Sequence, residues 1–363
     1  MVRGYTVTTT QSSTPVASPP PVRRLQVLTN SQLKTYRSCA VEHHYRYELG
    51  FKPLGGDHEP LRFGNLFHVG LEAWWRAYAT PDLQLSAALD AIRPHAVDDY
   101  DLVRAGVLLQ AYDARWHDSL DVEILGVELE FRADLKNPAT GAKSKTFGLG
   151  GKLDALVLNH ADQRIYMVEH KTSGEDIQPG STYWKRLQLD SQISTYFAGA
   201  RAHGIELAGC LYDVIGKPRH APLKATAPED RKFTKDGRLY AKQRAEDETP
   251  DEFRLRLTEE VIANVDRYFQ RGFVVRLPEE EVEAAHDAWQ TAVLIRDGQR
   301  SGIRARNVQS CERYGRMCSF FPVCTHQASL EDFTLYERVD NVHSELDPSF
   351  VMPQANTNGQ AAE

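Results

Sequence analysis

The sequence predicts an α/β fold, and three observations predict it. Runs at residues 153–158 and 165–171 are rich in Leu, Val, Ile and Met, and a polar turn separates them, so they read as a β-hairpin. Further strand signals lie at 122–131, 147–158 and 207–215. Apolar residues at helical spacing cover 61–79, where Phe63, Phe67, Gly70, Leu71, Trp74 and Tyr78 form one stripe.

In order along the chain, residues 1–24 are rich in Thr, Ser, Pro and Val and are expected to be disordered. Thr29-Asn30-Ser31 offers N-cap residues for a helix through Leu33 and Tyr36 towards Tyr47, with Cys39 inside it or at a break. Gly55-Gly56-Asp57 marks a loop before the 61–79 helix. Residues 81–118 read as two more helices. The strand at 122–131 carries Glu128 and Glu130 on one face. A helix over 181–203 places Gln188, Gln192 and Tyr196 at four-residue steps on one stripe. That stripe is either a polar helix edge with a tyrosine at its rim or a surface suited to the bases and backbone of a nucleic acid. Segments 253–269 and 278–295 read as helices, with Pro278 near the start of the second. The tail from about Leu346 is polar and expected to be disordered.

Composition sets the bounds. The chain has 363 residues, 41% hydrophobic and 26% charged, which is ordinary globular material. No apolar run is long enough to span a membrane, and the N-terminal residues lack the apolar core of a signal peptide, so a cytoplasmic protein is expected. The net charge of −7 argues against indiscriminate nucleic-acid binding. Residues 217–244 nevertheless hold nine Lys/Arg against three Asp/Glu, with Phe233 and Tyr240 interleaved. Residues 296–316 hold six Arg against two acids. Such patches track phosphates or are plain solvated surface. The basic stretch is expected to be a flap against the active face or a disordered insertion. Five cysteines, an odd number, disfavour a disulfide framework and favour metal.

The hairpin carries the chemistry. If it closes symmetrically about Ala161-Asp162, Asp154 falls directly across from Glu169, with Cβ atoms roughly 4.5–5.5 Å apart. Lys171, two residues on, points from the same face as Glu169. Opposed like charges destabilise a sheet, so either a divalent cation lies between the carboxylates or the hairpin face is solvated and they never meet. His68, one turn after Gly64 and beside the helix stripe, is either a structural histidine or a further ligand that would favour the cation. Glu72, a turn later, is a supporting candidate or surface.

With these residues in place, the chain resembles the PD-(D/E)XK nuclease superfamily. More closely it is similar to the RecB-like, iron–sulfur branch that includes CRISPR-associated and phage exonucleases. The resemblance rests on the order Gly64-Asn65-Leu66-Phe67-His68, Gly151-x-x-Asp154, Glu169-x-Lys171 and Gln192-x-x-x-Tyr196, flanked by Cys39 and by Cys311, Cys318 and Cys324. It covers residues 31–324. Leu153 stands where the motif has proline, and the late cysteines are spaced C-x6-C-x5-C where many relatives have C-x2-C-x5-C.

The resemblance implies a restriction-endonuclease-like core, a mixed central sheet flanked by helices, with a helical N-terminal part. It implies that His68, Asp154 and Glu169 ligate Mg²⁺ or Mn²⁺, with the His170 carbonyl a further ligand, and that Lys171 orients the attacking water. It implies that Cys39, Cys311, Cys318 and Cys324 hold a [4Fe–4S] cluster, with structural Zn²⁺ as the alternative. Gln188, Gln192 and Tyr196 would position the substrate strand. Residues 25–330 would form one nuclease domain whose ends the cysteines join, with 331–363 a partly disordered extension. The implied activity is hydrolysis of DNA from single-stranded ends, in recombination, repair, replication or CRISPR-type assemblies. Two alternatives stand beside it, a non-catalytic iron–sulfur DNA-binding subunit and an enzyme acting on small phosphoesters.

Overall fold

The computed structural model describes residues 25–55, 59–313, 315–343 and 346. The segment 1–24, part of the 55–57 loop and most of the tail from Leu346 lie outside the described residues. Strand β1 (Gln26–Leu28) leads into α1 (Asn30–Ser38), and the Thr29 hydroxyl caps that helix by accepting from the Gln32 N–H at 3.3 Å. Cys39 adopts an extended conformation, with φ −159°, and breaks the helix there. Beyond it come α2 (Ala40–His43), a π-helical turn (His44–Glu48) and β2 (Phe51–Pro53).

Three helices follow, α3 (Glu59–Arg76), α4 (Pro81–Ile92) and α5 (Asp99–Trp116). The central strands are β3 (Val122–Lys136), β4 (Lys143–Asn159) and β5 (Arg164–Ser173). Next are α6 (Thr182–Leu187), α7 (Ser191–Ala202) and β6 (Leu207–Gly216). After residues 217–249 come α8 (Pro250–Ala263), α9 (Val265–Tyr268), β7 (Phe269–Val274) and α10 (Pro278–Ser301). Short pieces close the chain: β8 (Glu312–Arg313), β9 (Arg316–Met317), α11 (Phe321–Cys324) and β10 (Tyr336–Arg338).

The central sheet is mixed. Along one edge of β4 runs β3, antiparallel. The other edge takes β1, parallel, at residues 147–149 and β5, antiparallel, at residues 155–159. Residues 150–154 of that edge are left between them. Beyond β5 lie β6, parallel to it, and β7, antiparallel to β6. Helices flank both faces, as the family resemblance implies. On one face α3, α5 and α8 bury Phe67, Trp74, Leu108 and Phe253 against Ala155, Val157, Val168 and Leu211. On the other, Leu187, Ile193 and Phe197 of α6 and α7 pack on Leu153, Leu156, Met167 and Val214. Each such side chain contributes about 1.5–3 kcal/mol by leaving water.

Three elements differ from the sequence expectation. The helix expected over 181–203 is two helices, broken at residues 188–190. Arg276 fills that break from β7's far end, donating to the Leu187 and Asp190 carbonyls at 2.9 Å and to Ser194 Oγ at 3.0 Å. The helix expected to reach residue 269 ends at Ala263, and Phe269 opens an edge strand instead. Finally, β1 is three residues long, too short for a periodicity to register. Among the described residues, no helix is long and apolar enough to cross a membrane.

Candidate active site

The site lies where the β4–β5 hairpin forks. The register pairs Ala155 with Val168 and Asn159 with Arg164, so the hairpin closes about Ala161-Asp162 and brings Asp154 level with Glu169, as its symmetry predicts. Backbone pairing stops at Ala155. One step further, the Asp154 carboxylate takes over the ladder, its Oδ2 accepting the His170 N–H at 2.7 Å. Glu169 is 1% exposed. Its Oε1 accepts from Gln192 Nε2 at 2.8 Å and is paired with the Lys171 ammonium, whereas its Oε2 is buried without a hydrogen-bond partner.

Electrostatics follow from this geometry. Burial pushes the Glu169 carboxyl up to about 8, with the Asp154 charge adding to the shift and Lys171 opposing it. Lys171 is raised despite burial, because Glu169 and Asp154 both favour its charged form. Burial would raise Asp154 too, but surrounding positive charge and the His170 N–H hold it below the usual carboxylate range. Burial lowers His68 to about 4, so the imidazole is neutral at physiological pH and has a lone pair to offer. Its favourable partner there is Asp154, and its ring meets that of His170 edge-on at 6.2 Å.

Helix α3 delivers His68 because its second turn comes very close to the end of β5. A Cβ on Gly64 would lie 2.9 Å from Thr172 Oγ1 and 3.8 Å from Lys217 Nζ. Gly64 is thus where helix and strand touch. The opposite wall is α7, whose N-cap Asp190 accepts from the Gln192 N–H at 2.9 Å and pairs with Lys34 at 2.9 Å.

Among the residues expected to position substrate, Gln192 and Tyr196 stay together and Gln188 separates from them. Gln192 Nε2 lies 2.8 Å from Glu169 and 2.7 Å from Tyr196 Oη, so it bridges carboxylate and phenol. Tyr196 is buried and stands edge-on to Phe131 at 5.8 Å; Gly151 makes room for both rings, since a Cβ there would lie 2.7 Å from Phe131 and 2.9 Å from Tyr196. Gln188 sits exposed at the helix break.

Sequence reasoning missed what stands behind the motif. The His170 side chain points to the other face of the sheet, where its Nδ1 is 3.3 Å from Asp213 Oδ2. Asp213 is 0% exposed and also accepts from Tyr112 Oη at 2.5 Å and pairs with Arg271 at 3.2 Å. The Arg271 guanidinium stacks on Trp116 at 4.1 Å. Burial would raise Asp213, but Arg271 and His170 hold it well below the usual range. The sequence pattern places Glu128 on one strand face with Glu130. Its φ of +56° breaks the alternation, and its side chain pairs with Lys152 beside Asp154.

The four candidate cluster cysteines converge. Cys39, Cys311, Cys318 and Cys324 line one cavity of about 40 Å³ together with Arg306, Phe320 and Phe321. None forms a disulfide, and Cys210 lies apart in the core. Asn307 fastens the segment to the helix break, donating to the Ser38 carbonyl at 2.8 Å. Burial raises the Cys318 and Cys324 thiols. Among the described residues, no three His, Cys, Asp or Glu side chains close to metal-holding distance, at the cysteines or at the carboxylates.

Together, the mixed sheet and the forked, lysine-backed pair of carboxylates define a protein of the metal-dependent nuclease class. A family model of the PD-(D/E)XK nuclease superfamily matches residues 27–325, and the chain belongs to that superfamily. No curated protein matches it. A solved structure described as "Crystal structure of SSO0001" is similar at 13% identity over 73% of this chain and 82% of its own, with a TM-score of 0.26.

Proposed function

We infer that the chain is a metal-dependent deoxyribonuclease that hydrolyses phosphodiester bonds from single-stranded DNA ends, within the RecB-like branch of its superfamily. The observation that carries this reading is the fork. Asp154 stands level with Glu169 there beside a neutral His68, and a buried carboxylate oxygen of Glu169 has no partner. An oxygen-rich set with one imidazole fits Mg²⁺ or Mn²⁺, the imidazole favouring Mn²⁺. His68, Asp154, Glu169 and the His170 carbonyl would hold the ion, and when bound it would activate water and neutralise phosphate charge.

The chain's own residues do the rest. Lys171, with its side chain still reaching solvent, orients the attacking water and offsets charge developing on the phosphate. Gln192 keeps Glu169 aligned, and Tyr196 backs Gln192. Residues 25–330 act as one domain. The test is cleavage of end-labelled single- and double-stranded DNA by the purified protein with Mg²⁺ or Mn²⁺. Metal-dependent shortening of the single strand from its ends is expected. No cleavage with either ion would overturn the reading.

For the cysteines we infer a [4Fe–4S] cluster acting as a staple, with zinc the alternative. The support is that all four thiols face one cavity, where a bound cation would relieve the cost that burial places on thiolates. Anaerobically purified protein is expected to be brown, and Cys39→Ser to bleach it and lower stability. Cys210→Ser keeps the colour. Colourless protein with stoichiometric zinc would identify the alternative.

A further inference from the structure

The basic stretch after β6 is neither a disordered insertion nor a plain loop. It is a two-legged arm buttoned at its base. Leu223 and Glu248 exchange hydrogen bonds, each at 2.8 Å, and Arg256 holds the Glu248 carboxylate with two bonds of 2.7 Å. Tyr100 Oη donates to the Glu248 carbonyl at 2.5 Å. Further out, Thr226 N–H donates to the Arg244 carbonyl at 2.9 Å, and Arg231 crosses between the legs to the Thr226 and Ala245 carbonyls.

The arm ends in a small hairpin. Phe233 bridges to Leu239, the Thr234 N–H donates to the Arg238 carbonyl, and the Tyr240 N–H donates to the Lys232 carbonyl. Gly237, with φ +73°, makes the turn. This fixed frame leaves Phe233 57% and Tyr240 49% exposed. Among the described residues, Lys232, Lys235 and Lys242 have no ion-pair partner around them. A rigid hairpin showing two rings and three uncompensated cations, on a chain of net charge −7, complements a strand of bases and phosphates.

Its placement connects it to the fork. The Lys217 N–H donates to the Ser173 carbonyl at 2.7 Å, two residues past Lys171. Arg219 reaches the Gly174 carbonyl at 2.6 Å, and the Lys217 ammonium stands over Gly64, one turn before His68. The arm therefore starts at the rim of the site.

We propose that residues 217–248 form a strand-holding arm, on which Phe233 and Tyr240 stack with bases of single-stranded nucleic acid while Lys232, Lys235 and Lys242 neutralise its phosphates. The proposal takes its substrate class from the nuclease reading but is a binding claim of its own. Its test is fluorescence anisotropy of the full chain in EDTA with labelled oligothymidylate and with a duplex of equal length. Phe233→Ala/Tyr240→Ala should weaken single-strand Kd by roughly tenfold per ring and duplex Kd far less, with an unchanged melting curve. Lys232→Ala/Lys235→Ala/Lys242→Ala should reduce the slope of log K against log salt by about two, at ~0.7 per phosphate contact.

Single-strand affinity that survives both sets, or falls equally for duplex, overturns the arm. Hydrolysis of bis(p-nitrophenyl) phosphate with Mn²⁺ separates this from the nuclease reading. Arm variants should match wild type there, because that substrate is too small to reach the hairpin. If wild type hydrolyses neither substrate while the arm variants still lose single-strand binding, the nuclease reading falls and the arm stands.

Discussion

Glu169→Gln protein is expected to lose DNA cleavage by a factor on the order of 10²–10³ or more, while its melting temperature in EDTA does not fall. The two halves of this result come from one fact. The Glu169 carboxylate is buried beside Asp154, where burial and like charge both oppose ionisation. The amide keeps the volume and a carbonyl oxygen for Gln192, and it removes a carboxyl whose ionisation the buried site opposes, with Asp154 remaining as the counter-charge of Lys171. What it gives up is the anionic oxygen that would hold a cation. Asp154→Asn should be as inactive but less stable, because the surrounding positive charge favours the Asp154 carboxylate and the amide loses part of the bond from the His170 N–H. Lys171→Ala should be as inactive, and it should also lower stability, because it leaves the buried Glu169 carboxyl beside Asp154 without its cationic partner. Calorimetry in EDTA beside a cleavage assay reads both halves. Wild-type cleavage by either carboxylate variant would remove the fork from the chemistry, and a large loss of melting temperature in Glu169→Gln would make it mere scaffolding.

What the sequence disclosed of this site was local. The Asp154–Glu169 register followed from a turn centred between two runs of matching length, so counting residues was enough. Helical spacing placed His68 beside the α3 stripe, and its role as a ligand came from the family pattern rather than from that spacing. The break before α7 did not follow from local pattern, because Arg276, more than eighty residues away, is what satisfies the carbonyls at 187 and 190. β7 was hidden for a related reason. Its Phe269 and Phe273 alternate with Gln270, Arg271 and Gly272 directly after a helix, with no turn residue between, and only pairing with β6 makes it a strand. Tyr196 was placed on the correct helix face, but its depth is set by Phe131 and Gly151 on two other strands. The convergence of Cys39 with Cys311, Cys318 and Cys324 was anticipated from the family pattern rather than from geometry, since nothing local spans that separation.

The largest stability effect is expected from Asp213→Ala. Asp213 is reached from Tyr112, 101 residues earlier, and from Arg271, 58 residues later, so it ties α5, β6 and β7 through one carboxylate. Alanine would leave the Arg271 guanidinium buried against Trp116 with no counter-charge, and the Tyr112 hydroxyl without its acceptor. Removing one partner of such a buried pair costs about 3–5 kcal/mol, because the remaining charge keeps its desolvation penalty. The companion variant Asp213→Ala/Arg271→Met removes both charges and should recover much of that loss, since an apolar pair of similar volume carries no such penalty. Urea unfolding of the single and double variants measures the difference. Equal stability of Asp213→Ala and wild type would mean that Arg271 finds water when its partner goes. In that case the buried cluster behind His170 would not be what holds the middle residue of Glu169-His170-Lys171 against the sheet.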